Sequence, residues 1–484
     1  MNKPLRRVAL ACLLLFGILL LNANVQQFVL AEERRSDPNN RRVLLDEYSR
    51  ERGPILVGTQ QIAFSTKTDD ELEYLREYAA GPIYAPITGY YSFIFGAEGI
   101  ERSEREVLAG TDDRLFVRQI ADLLTGEDQG GGSVLLTLNP AAQQAAWDGL
   151  QGQKGAVVAL NPQTGAILAM TSTPSYDPAA LATHDGDLLQ TNWDLLNADP
   201  EKPLLNRALR ETYPPGSTFK IITAAAALSS GNYDPDEPDI PAPDVLDLPL
   251  TDAVLPNQGG ASCSADEQIT LRDALRISCN TAFGQLGMDL GAEALLAQAE
   301  RFGFNSTFEV PMTSAESVFP TGINEPQTAQ SAIGQFDVRA TPLQMAMMIG
   351  AIANEGVVMA PYLVQEVRAP DLKPIDTAQP EELSEAVSPD VAAALVSMLV
   401  TVVDEGTGEN AQIDGISVGG KTGTAQTAPD RPPYAWFVSF APADNPTVAV
   451  AVLIEEANVA PDDISGGRLA APIAKAVMEA VIGR

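Results

Sequence analysis

The apolar pattern begins at once. Lys3, Arg6 and Arg7 precede an unbroken apolar run over residues 8–21, extended through Asn22, Asn24 and two glutamines to Val29-Leu30-Ala31. Residues 8–31 together supply about the twenty positions a membrane span needs. The pattern predicts one transmembrane helix within residues 1–31, its basic end cytoplasmic and the bulk of the chain extracytoplasmic. A cleaved signal peptide is the competing reading, since its apolar region has the same length and Leu30-Ala31 is a candidate cut. No clear small-x-small site follows the run, so the anchor is the expectation carried forward. Residues 32–40 are charged and polar, a tether.

Over 42–124 the apolar pieces are short and often alternating: Val43-Leu44-Leu45, Pro54-Ile55-Leu56-Val57 and Tyr90-Tyr91-Ser92-Phe93-Ile94-Phe95, with turn residues between them. They predict a small mixed unit rich in strands, occupying 32–150 as a pedestal. Gly126 to Gly132, with its run Gly130-Gly131-Gly132, reads as a hinge or loop; no strand-to-helix context with a lysine makes it a phosphate cradle.

After Ser133 the periodicity sharpens. Residues 134–138 read as a strand, and 139–150 as a helix capped by Asn139 and started by Pro140. Strands at 155–160 and 166–172 form a hairpin through Asn161-Pro162-Gln163-Thr164-Gly165. Residues 230–252, dense in Pro and Asp, read as a solvated loop. Helical periodicity covers 269–290, 341–354 and 388–403, strands return at 416–424, 436–440 and 447–454, and a helix closes the chain over 471–482. Two strands early and three late predict one antiparallel five-stranded sheet flanked by helices, assembled from opposite ends of a domain spanning 151–484. The fold class is α+β.

Composition narrows the chemistry. A chain of 484 residues exceeds one typical core. A formal charge of −33 leaves little ground for a basic patch, so nucleic acid is excluded as a partner. The one histidine, His184, is flanked by Thr183, Asp185 and Gly186 and reads as a surface loop residue; no metal cluster can be built around it.

The candidate chemistry starts at Tyr213-Pro214-Pro215-Gly216-Ser217-Thr218-Phe219-Lys220, followed by an alanine-rich helix former. Ser217 falls at the helix start and Lys220 on its face. The positive end of the helix dipole, with burial, pushes a lysine there toward its neutral form, which can take the serine's proton. S-x-x-K alone is common. Further on come Ser278-Cys279-Asn280 and Lys421-Thr422-Gly423-Thr424, and the order S-x-x-K, S-x-N, K-T-G is the active-site set of penicillin-recognising serine enzymes. Glycine at 423 would let a substrate backbone lie flat on the strand edge. Thr422 and Thr424 can hydrogen-bond a terminal carboxylate, Lys421 supplies local positive charge, and Ser278 with Asn280 can relay a proton and hold the acyl chain.

With these motifs the chain resembles a class B penicillin-binding protein, and is most similar to the actinobacterial penicillin-binding protein A group. The resemblance runs nearly the whole length, through Arg6-Arg7, Arg42-Val43-Leu44-Leu45-Asp46-Glu47-Tyr48-Ser49-Arg50, Glu211-Thr212-Tyr213 and Ala435-Trp436-Phe437. It implies a transpeptidase domain on a smaller pedestal or dimerisation-type domain. It also implies Ser217 as acylated nucleophile, Lys220 as base, and the backbone amides of Ser217 and Thr424 as oxyanion hole. The implied reaction is acyl transfer from the D-Ala-D-Ala end of a peptidoglycan stem peptide, without cofactor or metal, with β-lactams as covalent mimics. A membrane glycosyltransferase and division or elongation proteins are the implied partners. A D,D-carboxypeptidase and a non-catalytic divisome scaffold remain as alternatives. A β-lactamase would need E-x-x-L-N after the second motif, whereas Leu204-Leu205-Asn206 precedes Ser217 and has Lys202 at the glutamate's place. The chain departs from the commoner class B Gly-Gln-Gly by carrying Gly334-Gln335-Phe336.

Cys12 lies in the apolar run, which leaves Cys263 and Cys279 on the oxidising side. One connectivity is open to them. The expectation is a bridge tying the preceding loop to the second motif, with two free thiols as the other reading.

Overall fold

The computed structural model describes residues 3–26, 47–115, 130–426, 431–460 and 463–484. The tether at 32–40, the apolar piece Val43-Leu44-Leu45, residues 116–124 and the start of the glycine stretch lie outside them. Helix α1 (Lys3–Asn24) has mean hydropathy 2.1 in its most apolar window and is not buried against any of the described residues. It is long and apolar enough to cross a membrane.

Strands β1 (Ile55–Val57), β2 (Gln60–Lys67), β3 (Tyr74–Tyr78) and β4 (Ser133–Leu136) come next, then helix α2 (Pro140–Gly149), β5 (Gln153–Leu160) and β6 (Ile167–Thr173). The middle of the chain is mainly helical, with α3 (Lys220–Ser229), α4 (Leu271–Arg276), α5 (Asn280–Leu290) and α6 (Pro342–Ala353). Strands β7 (Val364–Arg368) and β8 (Pro374–Thr377) precede α7 (Pro389–Glu405), and β9 (Gly419–Ala425), β10 (Tyr434–Ala441), β11 (Val448–Ala457) and α8 (Ala471–Ile482) follow, with shorter or peripheral elements between them.

The five-stranded sheet has the order β9-β10-β11-β5-β6, antiparallel throughout, so the early hairpin joins the late meander as the pattern predicts. Alternation along β10 sorts its side chains. Trp436, Val438 and Phe440 enter the core that holds α3 and α6, while Ala435, Phe437 and Ala441 face α2 and α8. Every residue of α6 is buried, consistent with a helix apolar on all sides lying against the sheet. Asn139 caps α2 through its side chain, accepting from the amides of Ala141 and Ala142.

The second sheet has the order β8-β7-β4-β1-β2-β3. Its β7 and β8 come from residues 364–377, deep inside the range expected for the larger domain, and β7 pairs antiparallel with β4. In the other direction, α2 falls in the range expected for the pedestal yet packs on α8 and β6. The chain thus crosses between the two units more than once, where a single boundary at residue 150 implies one crossing.

Packing refines three expectations. Gly131 and Gly132 are pinned, their amides donating to Glu51 O and Val107 O at 2.8 Å each, and a Cβ on Gly131 would fall on the carbonyl of Leu108. Of the two readings, hinge or loop, this part of the glycine stretch is a loop, held in a close backbone crossing. The loop at 230–252 is only partly solvated: Val245–Asp247 pairs with Val254–Pro256, and Leu246 and Leu255 pack over Gly284 of α5, where no side chain leaves room for them. His184 lies in a loop, as expected, but is half-buried rather than free at the surface. Its side chain is 12% exposed, its Nδ1 lies 2.7 Å from Asp70 Oδ2, and Tyr48 and Phe93 flank it edge-on, so it links the pedestal to the larger domain.

Candidate active site

The first motif is carried on a turn that local sequence and tertiary contacts fix together. Gly216 takes φ +55°, and a 3₁₀ turn over Gly216–Phe219 leads into α3, so Ser217 stands at the mouth of that helix. Gly216 N donates to Gly334 O at 2.9 Å, and Tyr213 exchanges backbone hydrogen bonds with Ala340. The indole of Trp436 donates to Pro214 O at 3.0 Å. Lys220, fully buried, points at the second motif: its Nζ donates to Ser278 O at 2.8 Å and to Asn280 Oδ1 at 2.7 Å, and lies 3.2 Å from Ser278 Oγ. Burial, and then the nearby Lys421, push its ammonium well below the ordinary lysine range. Among the described residues Ser217 Oγ takes no hydrogen bond; in unliganded sites such catalytic contacts often tighten only with substrate present.

The helix predicted over 269–290 is broken where the second motif sits. Ser278 adopts φ +62°, a left-handed conformation uncommon for a side chain of its kind, and α4 ends before it while α5 starts after it. The kink turns both the carbonyl and the hydroxyl of Ser278 toward Lys220. Asn257, which the sequence reading did not single out, closes the gap, its Oδ1 accepting from the amides of Asn280 and Thr281 at 2.9 and 3.1 Å. It caps α5 from a remote loop, so no local spacing could have announced it. Cys279 is bonded to Cys263, the bridge expected. It ties the 230–263 region to the motif that holds Lys220. Cysteine-to-serine substitution at Cys263 should lower stability by about 3 kcal/mol, the chain-entropy value for a ring of about this size. Urea unfolding with and without reductant checks this; a variant as stable as the parent would show that the bridge adds nothing.

The third motif lies on β9, the end strand of the sheet, whose outer edge has no partner strand among the described residues. Such an edge can accept an extended peptide as an added strand. Lys421 is fully buried, donates to Thr422 O at 3.0 Å, and is pushed by burial down to about 7. Thr422 Oγ1 lies 2.7 Å from the hydroxyl of Thr407, a second residue the sequence reading passed over. Gly423 also meets a demand within the chain itself. A Cβ there would press on Pro215 O and Thr218 Cγ2 at 2.9 Å, so its lack of a side chain lets the nucleophile turn pack directly on β9.

The three motifs are thus neighbours: Lys220 of the first bonds Ser278 and Asn280 of the second, Lys421 lies near enough to Lys220 to depress it, and Gly423 abuts Pro215 and Thr218 of the turn that carries Ser217. Residues 155–479 match the family described as the penicillin-binding protein transpeptidase domain, and residues 52–134 match the penicillin-binding protein A dimerisation domain. The chain belongs to the class B penicillin-binding proteins. It is 46% identical to the peptidoglycan D,D-transpeptidase PbpA of Mycolicibacterium smegmatis, over 100% of this chain and 99% of that one. The PbpA of Mycobacterium tuberculosis is 45% identical over the same shares. Among solved structures, penicillin-binding protein A from M. tuberculosis as a ceftriaxone acyl-enzyme complex superposes with a TM-score of 0.87 at 44% identity, covering 90% of this chain and 100% of that one. Its penicillin G acyl-enzyme gives 0.86 at 45%, over the same shares. In this penicillin-binding protein Phe336, where the commoner pattern has glycine, takes φ +60°, a left-handed conformation that a glycine would adopt freely.

Proposed function

We propose that this protein is a peptidoglycan D,D-transpeptidase acting through a Ser217 acyl-enzyme. Neutral Lys220 takes the Ser217 proton, and the alkoxide attacks the carbonyl of the penultimate D-alanine of a stem peptide. The developing oxyanion is met by the backbone amides of Ser217 and Thr424. Lys421, Thr422 and Thr424 receive the terminal carboxylate, and the charge gained on binding favours the protonated form of Lys421. Ser278 passes a proton to the departing D-alanine amine while Asn280 orients the acyl chain. An amine of a neighbouring strand then takes the acyl group and frees Ser217. A β-lactam enters the same path and stays on the serine. No step calls on a metal or an organic cofactor.

The observation that carries this reading is the buried Lys220 amine, gripped by Ser278 and Asn280 beside the nucleophile turn. Incubation with a fluorescent penicillin tests it. The parent chain should carry a long-lived covalent label and Ser217→Ala none; an unlabelled parent would sink the proposal, and rapid loss of label would make the protein a hydrolase of β-lactams.

The placement proposed around this chemistry is a single-pass anchor in residues 1–31 with its N-terminus in the cytoplasm. Residues 32–150 form a pedestal completed by β7 and β8, and 151–484 the catalytic domain. The anchor would bring the enzyme to a membrane glycosyltransferase and to proteins of division or elongation, since a class B enzyme makes no glycan itself.

A further inference from the structure

Beneath the nucleophile turn, on the face of the sheet that holds α3 and α6, lies a polar cluster that the three motifs do not use. Tyr213 is buried against Tyr434 and Trp436, with ring centroids 5.3 and 6.4 Å away. Its hydroxyl lies 3.0 Å from Glu455 Oε2 and 2.9 Å from Glu211 Oε2. Burial and these carboxylates push the phenol upward, so it stays protonated and donates. Glu455, on β11, collects two further partners: Arg207 Nε at 3.2 Å and Lys154 Nζ, from β5, at 3.1 Å. Arg207 is 1% exposed and also donates through Nη1 to Lys202 O at 3.3 Å. One carboxylate thus joins two strands of the sheet to the segment that leads into Ser217.

A buried ion pair adds little net stability compared with apolar packing, because desolvation offsets most of the attraction. What it does well is fix geometry. The geometry at stake is the distance from Ser217 to the third motif. Trp436 holds Pro214 O through its indole and stands opposite Gly423 in the β9–β10 register, so the turn and β9 meet on one residue. Tyr213 sits one position before Pro214 and packs on that same indole. A hydroxyl anchored at Glu455 stops the Tyr213 ring, and the turn behind it, from sliding along the sheet.

We propose that Glu455 is a positioning residue for Ser217, acting through the Tyr213 hydroxyl to hold the nucleophile turn at its reacting distance from β9. The inference rests on the transpeptidase reading of the site. Misplacement of a reacting group by about 1 Å can cost about a hundredfold, and loss of a single tether should cost less, about tenfold.

The test measures acylation by a fluorescent β-lactam over a range of concentrations, which separates the pre-acylation binding constant from the acylation rate constant. Tyr213→Phe removes the hydroxyl and leaves Glu455 with Arg207, so folding is not at risk from an unpaired buried charge. Its acylation rate constant should fall about tenfold, with the binding constant within about twofold and the melting temperature close to the parent's. Glu455→Gln keeps an acceptor for Tyr213 and should retain most of the rate, while Glu455→Ala should fall at least as far as Tyr213→Phe. If Glu455→Ala does not fold, the other two variants decide. Parent-like rates in Tyr213→Phe, or a loss in Glu455→Gln as large as in Tyr213→Phe, would overturn the proposal. A parent chain that fails to acylate at Ser217 in the same assay would instead remove the transpeptidase reading beneath it.

Discussion

Replacing Lys220 with alanine should lower acylation of Ser217 by a factor of about 10³ or more while the chain still folds. The reason is local. Among the described residues Lys220 is the amine that meets the second motif at hydrogen-bond distance, Lys421 is bonded to Thr422 O on β9, and His184, the chain's one histidine, is engaged with Asp70 at the junction of the two units. The substitution removes buried methylenes and leaves Asn280 Oδ1 and Ser278 O without their donor, so a loss of about 2 kcal/mol in stability is expected beside the catalytic loss. Thermal melting separates the two. Acylation at the parent's rate would undo the mechanism. The pH profile carries the same assignment. Burial and Lys421 depress Lys220, so the parent's rate should rise with pH along a limb that reaches its plateau well below 10.5, and this limb should vanish in Lys220→Ala.

The two lysines also make stability depend on pH, with a sign that can be worked out. Lys421 is depressed by burial to about 7 in the folded chain, against about 10.4 when exposed. Between these values the unfolded chain binds a proton that the folded chain does not, so this group makes stability rise with pH across that window. Below about 7 both states hold the proton and the full penalty of the buried charge is present.

Gly334→Ala should be nearly as damaging by another route. Gly334 takes φ +72°, and a Cβ there would fall on the carbonyl oxygen of Gly216 and within 2.8 Å of Gly216 N and Phe219 Cβ. Those atoms are backbone and a packed aromatic, so neither can swing away. The substitution would push the turn off its Gly334 hydrogen bond and carry Ser217 with it. A loss of about 3 kcal/mol and a fall in acylation of about a hundredfold are expected, read by melting temperature and by labelling rate. Near-parent values in both would mean the turn is more compliant than its packing implies.

What could be read from the chain alone follows a physical division. The β5–β6 hairpin was legible because two short, mainly apolar runs and an Asn-Pro-x-x-Gly turn are properties of adjacent residues, and α2 because Asn139 and Pro140 cap it locally. The three motifs were legible because each packs its chemistry into a few consecutive positions. Ser278 was not recognisable as a helix break, since its left-handed conformation is held by Asn257 and by the bridge to Cys263, both far along the chain. Strands β7 and β8 could not be assigned to the pedestal sheet, because a strand's partner is chosen by what remains exposed after the rest has packed.

By itself the sequence determined the apolar helix at the start, the individual strands of the larger domain's sheet, and the three motifs from which a nucleophile, a base and a substrate-binding strand are proposed, all of them local in cause. Only the tertiary structure decided that Lys220 is gripped by the second motif, that Gly423 is bare to admit the nucleophile turn, and that Glu455 reaches that turn through Tyr213. Those contacts join residues whose separation along the chain carries no periodic signal, and burial in a shared core is what brings them within hydrogen-bonding distance.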